Sequence, residues 1–209
     1  MDGTLNAENV PGMRPPPYKV EEGVNQIPVN GLANIQAWKT YVIIGSGKTG
    51  LDAICYLLDM NVNPDKIVWI VTNEMWCLNR KVYNMENLWS GMEWQFRSIL
   101  ESDDIIDAFL KFEEQGIMLR IDQNHWPTKL RAATINEEQL KQLRRVKNVI
   151  RQGRVKALSK DTIEFENGSM FQVKMTNPVF VDCTSRPGHR SVLSPVFQGD
   201  KINLQLIAV

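Results

Sequence analysis

Residues 41–50, YVIIGSGKTG, decide the fold class of this 209-residue chain. Tyr41–Ile44 is an unbroken apolar run rich in β-branched side chains, which is typical of a strand buried on both faces of a parallel sheet. Glycines follow at positions 45, 47 and 50. Apolar residues then recur at helical spacing, at Leu51, Ile54, Cys55, Leu57 and Leu58. The pattern predicts a buried strand, a tight turn and an amphipathic helix that ends near Asn61.

A second buried-strand pattern, KIVWIVT at Lys66–Thr72, completes a β–α–β unit over residues 41–72. Roughly thirty residues is the usual length of such a unit. Pro64 separates the helix from the second strand, because proline cannot continue a helix. We therefore expect an α/β fold with a Rossmann-like parallel sheet flanked by helices.

The glycine turn has the spacing GxGxxG of dinucleotide-binding loops, in the strand-to-helix setting that gives this motif its meaning. Gly45 permits the sharp turn, Gly47 lets a diphosphate approach the backbone, and Gly50 permits close packing of helix on strand. The helix N-terminus then offers free N–H groups to phosphate oxygens. The predicted cofactor-binding residues of the loop are Gly45, Ser46, Gly47, Lys48, Thr49 and Gly50. The alternative is a glycine turn that binds nothing.

Three other nucleotide motifs do not fit. A Walker A loop needs a first glycine where this chain has Val42. A methyltransferase loop commonly has an acid where Ile44 stands. No tyrosine of the β–α–β region is followed by lysine at the four-residue spacing of short-chain dehydrogenases.

The end of the second predicted strand bears on the choice of nucleotide. Sites for NAD usually place Asp or Glu there to bind ribose hydroxyls, whereas this chain has Thr72 and Asn73. This uncharged tip of the strand, followed by Arg80 and Lys81, favours NADP over NAD, because a guanidinium can bind the 2′-phosphate of NADP in a bidentate manner. We expect NADP, with NAD left open, and include Thr72, Asn73 and Arg80 in the predicted site.

The rest of the chain gives weaker patterns. Helices are predicted at 92–100 and 103–115, a strand at 117–121, and a helix that begins with a capping box at Thr134–Glu137. From residue 148 the period changes to two, which predicts an antiparallel β-meander over about 148–174 with a hairpin at Asn167-Gly168. The expected organisation is an extended lead-in at 1–40, a dinucleotide-binding domain at 41–185 and a C-terminal segment at 186–209.

With these motifs in place, the chain resembles the pyridine-nucleotide domain of flavin-containing monooxygenases and pyridine-nucleotide–disulfide oxidoreductases. The resemblance rests on VIIGSGKTGLDAICYLL, on KIVWIVTN, and on the late strand FVDCTS at 180–185, which is similar to the small-residue motif that follows the family's meander. It implies that Thr184 lies at the cofactor and that NAD(P)H is positioned for hydride transfer to a flavin. Residues 186–209 would then begin a truncated flavin-side region.

Two motifs of that superfamily are missing from the sequence. No earlier GxGxxG precedes the turn and no CxxC occurs, so FAD is expected only where a partner or a missing domain supplies its site. The enzyme class is therefore open: an active protein would be a monooxygenase-like NAD(P)H/FAD-dependent oxidoreductase. The alternative is a catalytically inactive nucleotide-binding or partner-binding fragment.

Composition excludes several other functions. Lys plus Arg and Asp plus Glu number 24 each, which gives no basic excess for nucleic acid. No apolar run reaches the roughly 18 residues of a membrane span, and a cytoplasmic protein is expected. The expected partners are a dinucleotide and either a flavin domain or a second copy of the chain. Cys55, Cys77 and Cys183 are predicted to be buried free thiols. The sequence has two histidines, His125 and His189, and no His/Cys/Asp cluster with the spacing of metal ligands, so no metal site is expected. No residue stands out as a general acid or base.

Overall fold

The computed structural model describes residues 15–34, 40–173, 176–184 and 195–202. Its strands are, in chain order, β1 (Lys19–Val20), β2 (Gln26–Pro28), β3 (Thr40–Ile44), β4 (Ile67–Ile70), β5 (Met75–Asn79), β6 (Met118–Leu119), β7 (Lys129–Ile135), β8 (Asn148–Ile150), β9 (Val155–Leu158), β10 (Thr162–Phe165), β11 (Met170–Gln172), β12 (Pro178–Asp182), β13 (Phe197–Gln198) and β14 (Lys201–Ile202). Its α-helices are α1 (Lys48–Asp59), α2 (Leu88–Leu100), α3 (Ile105–Glu114) and α4 (Glu137–Leu143). Short 3-10 turns lie at Val29–Asn34 and Pro64–Lys66.

A five-stranded parallel sheet in the order β2-β12-β3-β4-β8 forms the centre of the fold. The strands β3, β4 and β12 are buried along nearly their whole length, as their unbroken apolar sequences predict. The fold is therefore a mixed α/β arrangement around a parallel sheet. The late strand β12 lies directly beside β3, with Asp182 opposite Ile44.

One face of the parallel sheet packs against a second sheet, in the order β1-β9-β10-β11. Alternate residues of β3 and β4 point to this side, because side chains alternate across a strand. Val42, Ile44 and Ile70 join the apolar cluster there with Ile163 and Phe165 of the second sheet. The hairpin β10–β11 carries Gly168 at φ +83°, the left-handed conformation that the predicted Asn-Gly turn requires.

The opposite face of the parallel sheet is covered by α1 and α4. Ile43 and Trp69 point to this side and pack with Leu57 and Leu143 in a larger cluster. Helix α1 ends at a C-cap on Met60, and Asn61 follows at φ +60°, so the helix ends where the sequence predicts. The strand–turn–helix–strand order of β3, α1 and β4 agrees with the prediction from YVIIGSGKTG.

Between β4 and β8 the chain forms a smaller unit, the three-stranded sheet β6-β5-β7 with α2 and α3. Strand β5 alternates between two environments: Met75 and Cys77 point into the large cluster, and Trp76 packs with Phe112 and Ile117. Helix α3 begins at Asp104, whose side chain accepts a hydrogen bond from the N–H of Asp107.

The structure corrects two predictions and adds two strands that the sequence did not predict. Residues 148–150 form the edge strand β8, which is parallel to β4, and the meander begins only at β9. The prediction was wrong here because period-two alternation looks the same in a strand of the parallel sheet and in a strand of the meander. The capping box of α4 is formed by Asn136 and Gln139, because Thr134 is still within β7. Strands β5 and β7 carry no strand prediction at all. Part of the lead-in, which was predicted as extended, forms the strands β1 and β2 at two sheet edges.

Candidate functional site

The glycine turn begins at the carboxyl end of β3, in the middle of the parallel sheet. Gly45 has φ +124° and donates its N–H to the carbonyl of Ile70 at 3.1 Å. Its own carbonyl accepts the indole N–H of the buried Trp69 at 3.0 Å. A Cβ at Gly45 would stand 2.9 Å from the carbonyl oxygen of Cys183, after β12. The turn is therefore held from both neighbouring strands, and its first residue must be glycine.

The second and third glycines differ in what surrounds them. A Cβ at Gly50 would stand 2.2 Å from the carbonyl oxygen of Gly45, so this position must be glycine for the helix to pack on the turn. A Cβ at Gly47, the N-cap of α1, would meet nothing within 4 Å. Within the residues that the structure describes, no contact therefore requires glycine at Gly47.

The N-terminus of α1 is open to a ligand. No side chain caps it, and its first turn contains no acidic residue. Lys48 is ion-paired with Asp52 one turn further along the helix. The first N–H groups of the helix are thus left with the positive end of the helix dipole.

A cleft of about 360 Å³ opens at this edge of the sheet. Six of the predicted residues line it, namely Gly45, Ser46, Gly47, Thr72, Asn73 and Thr184. Ser46 ties the loop to the second strand by donating its hydroxyl to the carbonyl of Asn73 at 2.8 Å. The structure thus brings together the glycine turn, the tip after β4 and the end of β12.

The other predicted residues lie outside the lining of this cleft. Lys48 and Thr49 begin α1, and Gly50 is buried beneath the turn. Arg80 follows β5 and donates to the carbonyl of Thr134 at 3.2 Å. It therefore lies beside the far end of β7, away from the tip of β4.

Sequence reasoning missed the cations that do line the cleft. They are Lys129 and Arg131 of β7 and Arg154 just before β9. All three side chains are exposed, and within the described parts of the chain no carboxylate pairs with them. Glu166, which follows β10, is the acidic residue of the lining. The available signal was the spacing of Lys129 and Arg131, because residues two apart in a strand point to the same side of the sheet.

Glu74, the acid nearest the tip of β4, is engaged elsewhere. Its carboxylate accepts from Nε of Arg151 at 2.6 Å, and Nη2 of Arg151 donates to Asp122 at 2.7 Å. Partial burial acts to raise the pKa of the Asp122 carboxyl, but the N–H of Asn124 and the charges of Arg151 and His125 outweigh it and hold that pKa below its usual value. Arg151 is thus the centre of an ion-pair network that fixes Glu74.

Thr184 is fixed by the buried Asp182. The Asp182 carboxylate accepts from the Thr184 hydroxyl at 2.6 Å and from its N–H at 3.0 Å. The chain therefore turns immediately after β12 and faces the cleft with Thr184. The cofactor contact of Thr184 that the family resemblance implies stays a prediction.

The three cysteines are free and buried, as predicted. Burial raises the pKa of Cys55 to about 11 and that of Cys77 to about 12, and it raises the pKa of Cys183 beyond the ordinary range. Although Cys183 lies beside the cleft, it is neutral at physiological pH and unsuited to nucleophilic or redox chemistry.

The remaining predicted features have separate places. His125 contacts Asp122 in a surface loop, and His189 lies outside the described residues, as do Ser185 and most of residues 186–209. Trp76 is buried, whereas Trp89 is 79% exposed. Within the described ranges no cluster of three metal-binding side chains occurs. The helices described there are all too short or too polar to cross a bilayer.

Comparison with known proteins adds little about function. No protein-family model matches the chain. Uncharacterized proteins of Mycobacterium tuberculosis and Mycobacterium bovis are 32% identical to it over 216 residues, which cover 99% of this chain and 39% of theirs. The chain thus spans about two fifths of the length of these relatives. The crystal structure of L-lysine 6-monooxygenase from Pseudomonas syringae aligns with a TM-score of 0.34 and 12% identity, over 75% of this chain and 38% of that one, and carries no argument at this level.

Proposed function

We propose that this chain binds a pyridine dinucleotide, NADP(H) or NAD(H), at the carboxyl edge of a Rossmann-like sheet. The diphosphate would lie over Gly47 at the N-terminus of α1. The observation that carries the proposal is the contrast within the turn: packing requires glycine at Gly45 and Gly50, whereas at Gly47 a side chain would project into open space. A ligand that approaches the backbone at Gly47 explains why that position is glycine.

The residues of the cleft fit such a ligand. Uncapped N–H groups at α1 and three cations that pair with no carboxylate of the described residues line it, in agreement with the charge of a phosphorylated dinucleotide. Thr184 and the tip after β4 close the other sides. The roughly 360 Å³ of the cleft lies in the usual range for a ligand pocket.

The role of the chain is positioning, because no described residue of the cleft is arranged as a general acid or base. A bound pyridine dinucleotide supplies hydride chemistry, and the acceptor implied by the family resemblance is a flavin. The residues of this chain hold the diphosphate at Gly47, orient the ribose at Asn73 and keep the turn rigid through Trp69. The flavin itself would be held by a partner or a further domain.

Calorimetric titration of the purified chain with NADPH, and in parallel with NADH, tests the proposal. Saturable binding that is lost in Gly47→Asp supports it. Gln172→Glu is the matched control, because it adds the same charge on exposed β11, beside a depression at the amino ends of the parallel strands. Absence of binding of either nucleotide at millimolar concentration would refute it. Oxidation of bound NADPH after addition of free FAD would separate an active module from a catalytically inactive one.

A second candidate function is association with a second copy of the chain. Helix α2 carries an apolar stripe that faces solvent, formed by Trp89, Met92, Phe96 and Leu100. Their spacing is that of a helix–helix contact. Glu93 and Arg97, which pair at 3.0 Å, flank the middle of the helix, so an antiparallel two-fold copy would bring each opposite its counterpart charge.

Sedimentation velocity over a range of protein concentrations tests this second candidate. A dimer that dissociates in the Phe96→Glu variant supports it, with the exposed but separate Met170→Glu as control. A monomer at every concentration would exclude self-association through α2 and leave nucleotide binding untouched.

A further inference from the structure

Lys129 lies immediately beside the tip that follows β4. Its N–H donates to the carbonyl of Glu74 at 3.2 Å, and Thr128 donates to the same oxygen at 3.1 Å. Lys129 is also the register partner of Met75, two residues beyond Asn73. The start of β7 is therefore fixed against the segment that, in a dinucleotide site, meets the adenosine ribose.

Arg131 lies in the same cleft, next to an irregularity in β7. Trp76 pairs with Leu130 and Leu78 with Thr134, so two steps along β5 correspond to four along β7. Within this bulge Ala132 has φ +53°, a left-handed conformation that is unusual for a residue with a Cβ. Bulges of this kind redirect side chains next to functional sites. Both Lys129 and Arg131 line the cleft together with Thr72 and Asn73.

No acid competes with these cations at the tip of β4. Glu74 is held by Arg151 and is absent from the described lining of the cleft. Glu166, the acid that does line it, follows β10 in the second sheet. A carboxylate at the tip would repel a phosphate on the ribose, whereas the present arrangement offers an ammonium and a guanidinium.

We infer that Lys129 and Arg131 form the subsite for the 2′-phosphate of NADP(H), and that they make this chain select NADP(H) over NAD(H). The inference rests on the proposed dinucleotide site and names its nucleotide class. The Arg131 guanidinium binds two phosphate oxygens in a fork, and the Lys129 ammonium adds a point charge beside it.

The subsite takes the role that the sequence assigns to Arg80. The guanidinium of Arg80 is used on the carbonyl of Thr134, at the other end of β7. Both assignments place a cation opposite a 2′-phosphate, so a variant of each residue distinguishes them.

The experiment is calorimetric titration of the whole chain with NADPH, NADH, adenosine 2′,5′-bisphosphate and AMP. The wild type is expected to bind NADPH at least about tenfold more tightly than NADH, and the bisphosphate more tightly than AMP, because a hydrogen bond to a charged group contributes roughly that factor. In Arg131→Ala, NADPH affinity falls about tenfold while NADH affinity stays within about twofold. Arg131→Lys retains part of the preference. Lys147→Ala, which removes a cation beside the depression at the amino ends of the strands, changes neither ratio.

Three results would overturn the inference. Equal losses for NADPH and NADH in Arg131→Ala would place the diphosphate, not the 2′-phosphate, at this residue. If Arg80→Ala loses the preference for NADPH over NADH and Arg131→Ala keeps it, the 2′-phosphate lies at Arg80, as the sequence predicts. Wild-type preference for NADH would reverse the nucleotide class while the dinucleotide site itself stands. Failure of all four ligands to bind would instead refute the proposed function together with the inference.

Discussion

Gly50 of α1 lies directly on the carbonyl group of Gly45, and a Cβ at Gly50 would stand 2.2 Å from that oxygen. This contact brings the first turn of the helix against the end of β3. It also fixes the orientation of the helix N-terminus relative to the cleft. The closeness of these two glycines is therefore a condition both for the fold and for the proposed phosphate site.

Gly50→Ala is expected to destabilise the protein by about 2 kcal/mol or more, because the added methyl group meets rigid backbone. The sign is diagnostic, since Ala inside a helix is otherwise more favourable than Gly by about 1 kcal/mol. Urea denaturation monitored by circular dichroism measures the change. A variant as stable as the wild type would show that the helix and the turn are further apart than 2.2 Å implies.

Gly47→Ala is expected to behave in the opposite way. Its Cβ meets nothing within 4 Å and its φ of −75° suits any residue, so the free energy of unfolding should fall by no more than the roughly 1 kcal/mol that alanine costs at an N-cap. Dinucleotide affinity should fall, because the methyl group occupies the approach of the diphosphate. Parallel denaturation and calorimetry on the same preparation check both halves. An unstable Gly47→Ala would indicate a structural role for this glycine.

The outcome of sequence reasoning follows from how local each signal is. Strand β3, the turn and α1 were predictable, because burial on both sheet faces and the 3.6-residue period are written within one short stretch. The burial of Gly50 against Gly45 follows from the same spacing. Local periodicity could not place β8 beside β4, because the pairing of Val68 with Asn148 joins residues far apart in the chain.

Local periodicity also could not place the cations Lys129 and Arg131 in the cleft, for a related reason. Strand β7 is exposed at its first four residues and buried only near its end, so it shows no apolar alternation. Its pairing with β5 is what gives it strand geometry and brings Lys129 to Glu74. Arg80 looked suitable because it lies near Asn73 in sequence, whereas the chain between them runs along β5 and carries Arg80 away.

Trp69→Phe is expected to weaken both the fold and the turn. The variant removes the indole N–H that donates to the Gly45 carbonyl at 3.0 Å and leaves that buried oxygen with one partner fewer, at a cost of about 1–2 kcal/mol. Dinucleotide affinity should fall as the turn loosens. Trp76→Phe is the matched comparison, because Trp76 is equally buried but packs against Phe109 and Trp126 in the smaller unit. Equal effects of the two variants on affinity would contradict a specific role for Trp69.

Arg151→Met is expected to destabilise the protein and to make its stability depend less steeply on pH in the acid range. In the folded protein the pKa of Asp122 is held below its unfolded value near 3.9, so the associated stability is present above that value and is lost as the pH falls through the depressed folded pKa. Without Arg151 the folded pKa of Asp122 rises, and stability depends less steeply on pH below about 4. Thermal unfolding measured from pH 3 to pH 7 checks this. Arg145→Met serves as control, because it removes an exposed arginine that is hydrogen-bonded to Gln142. An unchanged pH dependence of stability in Arg151→Met would show that groups other than Arg151 lower the pKa of Asp122.

Thiol labelling tests whether the cleft is as closed around Cys183 as its burial indicates. Only thiolates react with Ellman's reagent, and burial raises the pKa of all three cysteines, Cys55 to about 11 and Cys77 to about 12. Because all three thiols are also buried, at pH 8 the native protein should label far more slowly than the denatured protein, which labels at all three positions. Rapid labelling confined to Cys183 would show that the end of β12 opens in solution. In that case saturating NADPH should slow the reaction if the dinucleotide lies beside Thr184, and the Cys183→Ser variant identifies the thiol that reacts.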